Sequence, residues 1–145
     1  IEGMIEAMEG RVFNHGRPFL GICVGMQLMA EYGVEHGIHK GMGWVAGSVE
    51  AMTPSKDVRI PHMGWNDVEP VGPKTLVEPG EAYFLHSYAY RCSQFPSAVR
   101  AVTHHGGQEV VAAIQIGTAI GVQYHPEKSQ AYGLATLERF LAWRP

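Results

Sequence analysis

No apolar run in this chain approaches the ~20 residues that a membrane-spanning helix needs, so no such helix is expected. Neither sign of charge dominates. Eleven Lys and Arg against 14 Asp and Glu leave a net charge of −3, and the basic residues are scattered. That removes the electrostatic footprint of a nucleic-acid binder. Cysteine is scarce: Cys23 and Cys92 are too few for a disulfide-built secreted scaffold, and reduced thiols in a cytoplasmic protein are expected instead. Ile1-Glu2-Gly3-Met4 shows neither a basic nor an apolar leader pattern, so no secretory signal is expected. No His/Cys set has zinc-site spacing, and no glycine loop of the phosphate- or dinucleotide-binding type occurs, so neither a metal nor a nucleotide cofactor is implied. Repeats, low-complexity tracts and linkers are absent too. What is left, 145 residues at 46% hydrophobic content, fits one globular domain with a substantial core.

Periodicity outlines that domain. Ile1, Met4, Ile5, Met8 and Val12 form a helical stripe that Gly16 should end, and residues 18–22 form a short buried strand. Met26, Leu28, Met29 and Tyr32 predict a helix running on to Gly33, followed by a loop to Gly43. Strands are predicted at 44–52, up to Pro70, at 81–90, 98–103, 109–116 and 118–124, with His104 to Gly107 as a hairpin turn. A last helix spans 130–143, its stripe being Tyr132, Leu134, Leu137, Phe140 and Leu141. The connections after residue 44 are too short for helical crossovers, which predicts a mixed sheet within a layered α/β fold.

Two clusters carry chemistry. In Gly21-Ile22-Cys23-Val24-Gly25-Met26-Gln27 a cysteine lies between glycines two residues to either side, after a strand and before a helix. This is the pattern of a nucleophile elbow, whose sharp turn leaves little room for neighbouring Cβ atoms. A helix N-terminus should lower the thiol pKa, and the Val24 N–H could stabilise an oxyanion. The alternative for a lone cysteine is a small buried hydrophobe. The second cluster, Gly121-Val122-Gln123-Tyr124-His125-Pro126-Glu127, offers an imidazole and a carboxylate. In an extended segment His125 and Glu127 point the same way, so the ring could serve as base with the carboxylate holding its tautomer. An ordinary strand-end histidine beside a solvated glutamate is the competing view.

These motifs together resemble the class I, triad-type glutamine amidotransferases. The resemblance implies a three-layer, flavodoxin-like α/β domain with a mixed sheet. It also implies Cys23 as nucleophile, His125 as base and acid, and Glu127 as orienting carboxylate. Pro61-His62-Met63-Gly64-Trp65-Asn66, Tyr83-Phe84-Leu85-His86-Ser87-Tyr88 and Lys128-Ser129-Gln130 resemble the glutaminase subunits of imidazole glycerol phosphate synthase in particular. By that resemblance Val24, Gly25, Gln27, His86, Ser87 and Tyr88 border L-glutamine. Trp65, Tyr83 and Lys128 face a (β/α)₈-barrel cyclase subunit that receives ammonia in a heterodimer. From composition alone, Trp65 and Tyr83 are equally candidates for core packing, and Lys128 for a solvated charge. The resemblance further implies that residues 1–145 are a partial amidotransferase domain, without the family's first strands and the glycine-rich loop that completes the oxyanion hole. An amidotransferase of another synthase, or a docking subunit without turnover, stands as the alternative.

Overall fold

Chain order begins with helix α1 (Glu2–Glu9), which runs into a π-helical turn (Gly10–Asn14). Next come β1 (Phe19–Ile22), the short helix α2 (Val24–Gln27), β2 (Tyr32–Gly33), β3 (His39–Lys40) and β4 (Ser48–Ala51). The remainder is β5 (His62–Pro70), β6 (Gly80–His86), β7 (Tyr88–Arg91), β8 (Val99–His105), β9 (Gln108–Ile116), β10 (Ala119–Val122) and α3 (Gln130–Ala142). The structure, a computed structural model, describes residues 2–56, 58–91 and 96–145. Cys92, expected to be a reduced thiol, lies outside the described residues.

One sheet has the order β1-β10-β9-β8-β5-β6 and the other β3-β2-β4-β7. In the first only β1 and β10 run parallel; in the second only β2 and β4 do. The sheet is mixed, as expected.

Side-chain alternation along β1 and β10 sets the layers. Leu20, Ile22, Ile120 and Val122 pack with Tyr132, Phe140 and Trp143 from α3 and its end. On the opposite face, Phe19 and Ala119 pack with Met8, Val12, Met26 and Met29. Gly21 and Gly121 face each other in register on that second side. A Cβ on Gly21 would stand 2.7 Å from the Gly25 carbonyl, and one on Gly121 would stand 2.7 Å from Met26 Cγ. The paired glycines let α2 sit directly on the sheet. Helices therefore cover both faces, as a layered α/β domain requires.

Several local expectations change. The helix predicted as far as Gly33 ends at Gln27, because later backbone carbonyls are claimed by a neighbouring segment. Leu28, Met29 and Ala30 accept from the N–H groups of Met42, Val45 and Gly43 at 2.7, 3.0 and 2.9 Å. Met29 is still buried, while Leu28 and Tyr32 are exposed. The predicted loop contains the β2–β3 hairpin, and the strand predicted at 44–52 shrinks to Ser48–Ala51. The single strand predicted at 81–90 breaks at Ser87, so β6 joins one sheet and β7 the other. The β8–β9 turn tightens to Gly106 and Gly107, with φ of 57° and 76°, the left-handed pair a two-residue hairpin needs. On α3, Leu134 and Leu141 face solvent and the inward side carries Tyr132, Gly133, Thr136 and Phe140. Gly133 is required there, since a Cβ would lie 1.8 Å from the Pro126 carbonyl oxygen.

Candidate active site

The elbow takes its shape from the parallel pair. Cys23 N–H donates to the Val122 carbonyl at 2.8 Å, extending the β1–β10 ladder by one bond before the chain turns. Cys23 then adopts φ 49°, ψ −107°, outside the wells that side chains favour, at a cost of about 1–3 kcal/mol. Its carbonyl accepts from Gln27 N–H at 3.1 Å, which starts α2 and locks the strained residue in place. Only one of the flanking glycines is needed for lack of room: a Cβ on Gly25 would meet nothing within 4 Å.

The Cys23 thiol is half-buried, with its Sγ 3.8 Å from the Leu85 carbonyl and 3.6 Å from the Gln123 side-chain amide nitrogen. Burial pushes its pKa up. The Val24 N–H, the Gln123 amide and Lys128 pull it down, and Glu127 adds to the rise, so the thiol stays above its ordinary value. This reverses the lowering expected from a helix N-terminus. A single-turn helix offers little dipole to set against burial.

His125 lies three residues beyond β10, at the same carboxyl end of the sheet. Its N–H donates to the Tyr83 carbonyl at 2.9 Å. Ser129, fully buried, clamps the same point: its hydroxyl donates to the His125 carbonyl at 2.7 Å and accepts from the Tyr83 N–H at 2.9 Å. Pro126–Lys128 form one 3₁₀ turn rather than the extended segment expected. The turn nevertheless brings Glu127 Oε1 to 2.6 Å from His125 Nδ1. Nδ1–H then donates to the carboxylate and leaves Nε2 as the acceptor. Nε2 is buried and has no hydrogen-bond partner among the described residues. Burial raises the Glu127 carboxyl, but its own backbone N–H, the His125 ring and Lys128 outweigh it and hold it below its usual value. Cys23 and His125 are not hydrogen-bonded to each other; the thiol faces Leu85.

Gln27 Nε2 donates to the Tyr88 carbonyl and to Gln123 Oε1, both at 3.0 Å. Val24, Gln27 and Tyr88 line a cavity of about 170 Å³, together with Glu35 and Lys40 from the β2–β3 hairpin. Gly25, His86 and Ser87 do not line it. The His86 ring is buried and turned away into a histidine cluster, and Ser87 contributes its carbonyl to the Met52 N–H at 2.9 Å. Sequence reasoning alone does not single out Gln123, Ser129 or Glu35, which stand among these groups. Gln123 lies inside the Gly121–Glu127 cluster, but nothing in its type tells it from a core glutamine. Glu35 lay in a segment without period.

Trp65 and Tyr83 are cross-strand partners whose rings meet edge-on at 6.1 Å, and Lys128 Nζ stands 5.9 Å over the Tyr83 ring. Trp65 is 47% exposed and Lys128 is exposed, so core packing does not explain this surface group.

The chain as a whole has counterparts among known proteins. The chain matches the family glutamine amidotransferase class-I over residues 1–142, and it belongs to that family. Within it the chain is 50% identical to the imidazole glycerol phosphate synthase subunit HisH of Zymomonas mobilis, covering all of this chain and 68% of that protein. It is 45% identical to the HisH subunit of Rhodopseudomonas palustris, of which it covers 70%. Crystal structures share the fold at 19% identity. A glutamine amidotransferase from Thermotoga maritima aligns with a TM-score of 0.54 over 97% of this chain and 52% of its own. Another glutamine amidotransferase aligns with a TM-score of 0.65 over 95% of this chain and 68% of its own. The chain thus spans about half of the first of these structures and about two thirds of the curated relatives.

Proposed function

We propose that this chain is the glutaminase subunit of an imidazole glycerol phosphate synthase, working in the cytoplasm in histidine biosynthesis. It hydrolyses L-glutamine to glutamate and passes the ammonia to a barrel-shaped cyclase partner in a heterodimer. The observation that carries the catalytic part is the 2.6 Å bond from His125 Nδ1 to Glu127, which leaves Nε2 free to accept a proton at the end of the strand pair that presents Cys23. The names of the HisH relatives support the substrate and the synthase.

In this mechanism Cys23 Sγ attacks the side-chain amide carbon of glutamine and its proton passes to His125 Nε2. Glu127 stabilises the imidazolium. The ring then protonates the leaving nitrogen, ammonia departs, and a thioester forms on Cys23. Water, losing a proton to His125, opens the thioester to give glutamate and the free thiol. The Val24 N–H supplies an oxyanion donor. Glu35 and Lys40 offer charges of both signs to the ammonium and carboxylate of an amino acid in the adjoining cavity, beside Gln27 and Tyr88. Gly25, His86 and Ser87 border the substrate outside that cavity, and Trp65, Tyr83 and Lys128 form the docking patch for the cyclase.

The Cys23 thiol is aimed at the Leu85 carbonyl and makes no hydrogen bond to His125. That orientation and the raised thiol pKa favour a second reading, a subunit that docks without turnover by itself. Glutamate release measured in the complex with the cyclase and its ligand separates the two. Cys23→Ala should abolish the release; turnover equal to the parent's would sink the nucleophile assignment.

A further inference from the structure

Beneath the surface patch lies a group of rings that the mechanism does not use. His62 on β5 is buried between Phe84, stacked at 4.7 Å, and His105, stacked at 4.2 Å. Its Nδ1 is 3.0 Å from Nε2 of His86, which is also buried. Hydrogen-bonding chemistry fixes the direction of every bond. Asn66 Oδ1 accepts from the Asp67 N–H at 2.9 Å, so Nδ2 is the donor end of that amide. It donates to the His104 carbonyl at 2.8 Å and to His62 Nε2 at 3.0 Å. His62 therefore accepts at Nε2 and carries its proton on Nδ1, which donates to His86 Nε2. His86 in turn carries its proton on Nδ1 and donates to the Tyr88 carbonyl at 2.9 Å.

That carbonyl is also the acceptor for Gln27, whose second hydrogen goes to Gln123 Oε1. Gln123, fully buried, points its own amide N–H at Cys23 Sγ. The bonds form one chain from β5 to the nucleophile without a conflicting donor or acceptor. A satisfied buried network of this kind holds a single geometry, and loss of one member leaves its neighbours unpaired.

We propose that His62 and His86 are a neutral, tautomer-locked pair that positions the Cys23 thiol through the Tyr88 carbonyl, Gln27 and Gln123. They are positioning residues and neither exchanges protons with substrate. Burial keeps both uncharged, with the His86 and His105 rings adding to the fall at His62, and the His105 and His125 rings adding to that at His86 against its bond to the Tyr88 carbonyl: His62 is pushed down to about 3 and His86 to about 4. The inference rests on Cys23 as nucleophile, although its first tests need no glutamine.

Nitrogen-15 spectra of the histidine rings in the full-length protein should show both in the Nδ1–H form, without titration between about pH 5 and 9, where a free histidine titrates near 6.5. A Nε2–H tautomer at His86, or protonation in that range, would overturn the pair. With Cys92→Ser and any cysteine outside residues 1–145 likewise replaced by Ser, the pH dependence of iodoacetamide alkylation reports on Cys23 alone. His86→Phe keeps the ring's bulk but removes both bonds, and should slow alkylation at neutral pH about twofold to tenfold, the loss of one net hydrogen bond. His86→Asn, whose Nδ2 can take the place of Nδ1, should recover most of the rate. An alkylation profile for folded His86→Phe that matches the parent's would refute the positioning role. Should His86→Phe fail to fold, the spectra of the unaltered protein decide. Normal spectra and a shifted alkylation profile, with no glutamate release from the parent complex, would keep this pair and sink the glutaminase assignment instead.

Discussion

Gly21 and Gly25 flank one thiol and do different work. Gly21 has no room for a Cβ because the backbone of Gly25 lies 2.7 Å away, whereas Gly25 faces open space. Gly21→Ala should cost about 1–3 kcal/mol as α2 is forced off the sheet. Gly25→Ala should leave stability level or raise it by up to about 1 kcal/mol, because alanine is the better helix former. Chemical denaturation of the two variants checks this, and equal losses would contradict it. The motif was legible as a motif from its spacing, but the two glycines read alike in sequence. So did the thiol pKa, whose expected fall depended on a helix that proves to be one turn long.

Among the elements, α3 holds the site from behind. Its Gly133 presses on the Pro126 carbonyl, the first residue of the turn that carries Glu127. Gly133→Ala would place a Cβ 1.8 Å from that oxygen, and either the helix or the turn must move. The expected outcome is a loss of about 3 kcal/mol or more, with a lower melting temperature and loss of glutaminase activity together. A variant as stable and as active as the parent would show that α3 does not brace the turn. Hydrophobic period gave this helix its length well and its inward face poorly. Leu134 and Leu141 look like core residues on a helical wheel, yet the close approach at Gly133 rotates the helix so that small and aromatic residues face inward. The break at Ser87 is a similar case, because an unbroken aromatic run cannot announce that its two halves belong to different sheets.

For the whole molecule, the buried histidines make stability depend on acidity. The unfolded chain protonates them near pH 6.5, while the folded chain resists down to about 4 for His86 and about 3 for His62. Between those limits the unfolded state binds more protons, so stability is complete above about pH 6.5 and falls as the pH drops toward 4 and 3. The loss is up to about 1.4 kcal/mol per pH unit for each ring. Urea midpoints should be clearly lower at about pH 5 than at about pH 7, and equal midpoints would contradict the buried neutral pair.

At this scale the division between sequence and structure has a physical basis. Covalent order by itself determined the chemistry-bearing clusters at Gly21–Gln27 and His125–Glu127, the mixed α/β class and most strands, because each is written in local spacing and residue type. Tertiary structure alone decided which groups meet. The parallel pairing of β1 with β10 brings Cys23 and His125 to one edge, and the packing of β5 against β6 builds the histidine pair beneath it. It also decided that burial holds the thiol above its ordinary pKa, and that Gln123 joins the Val24 N–H as its polar neighbour. Contact between residues far apart in the chain, and the desolvation it brings, depends on the assembled fold and has no local signature.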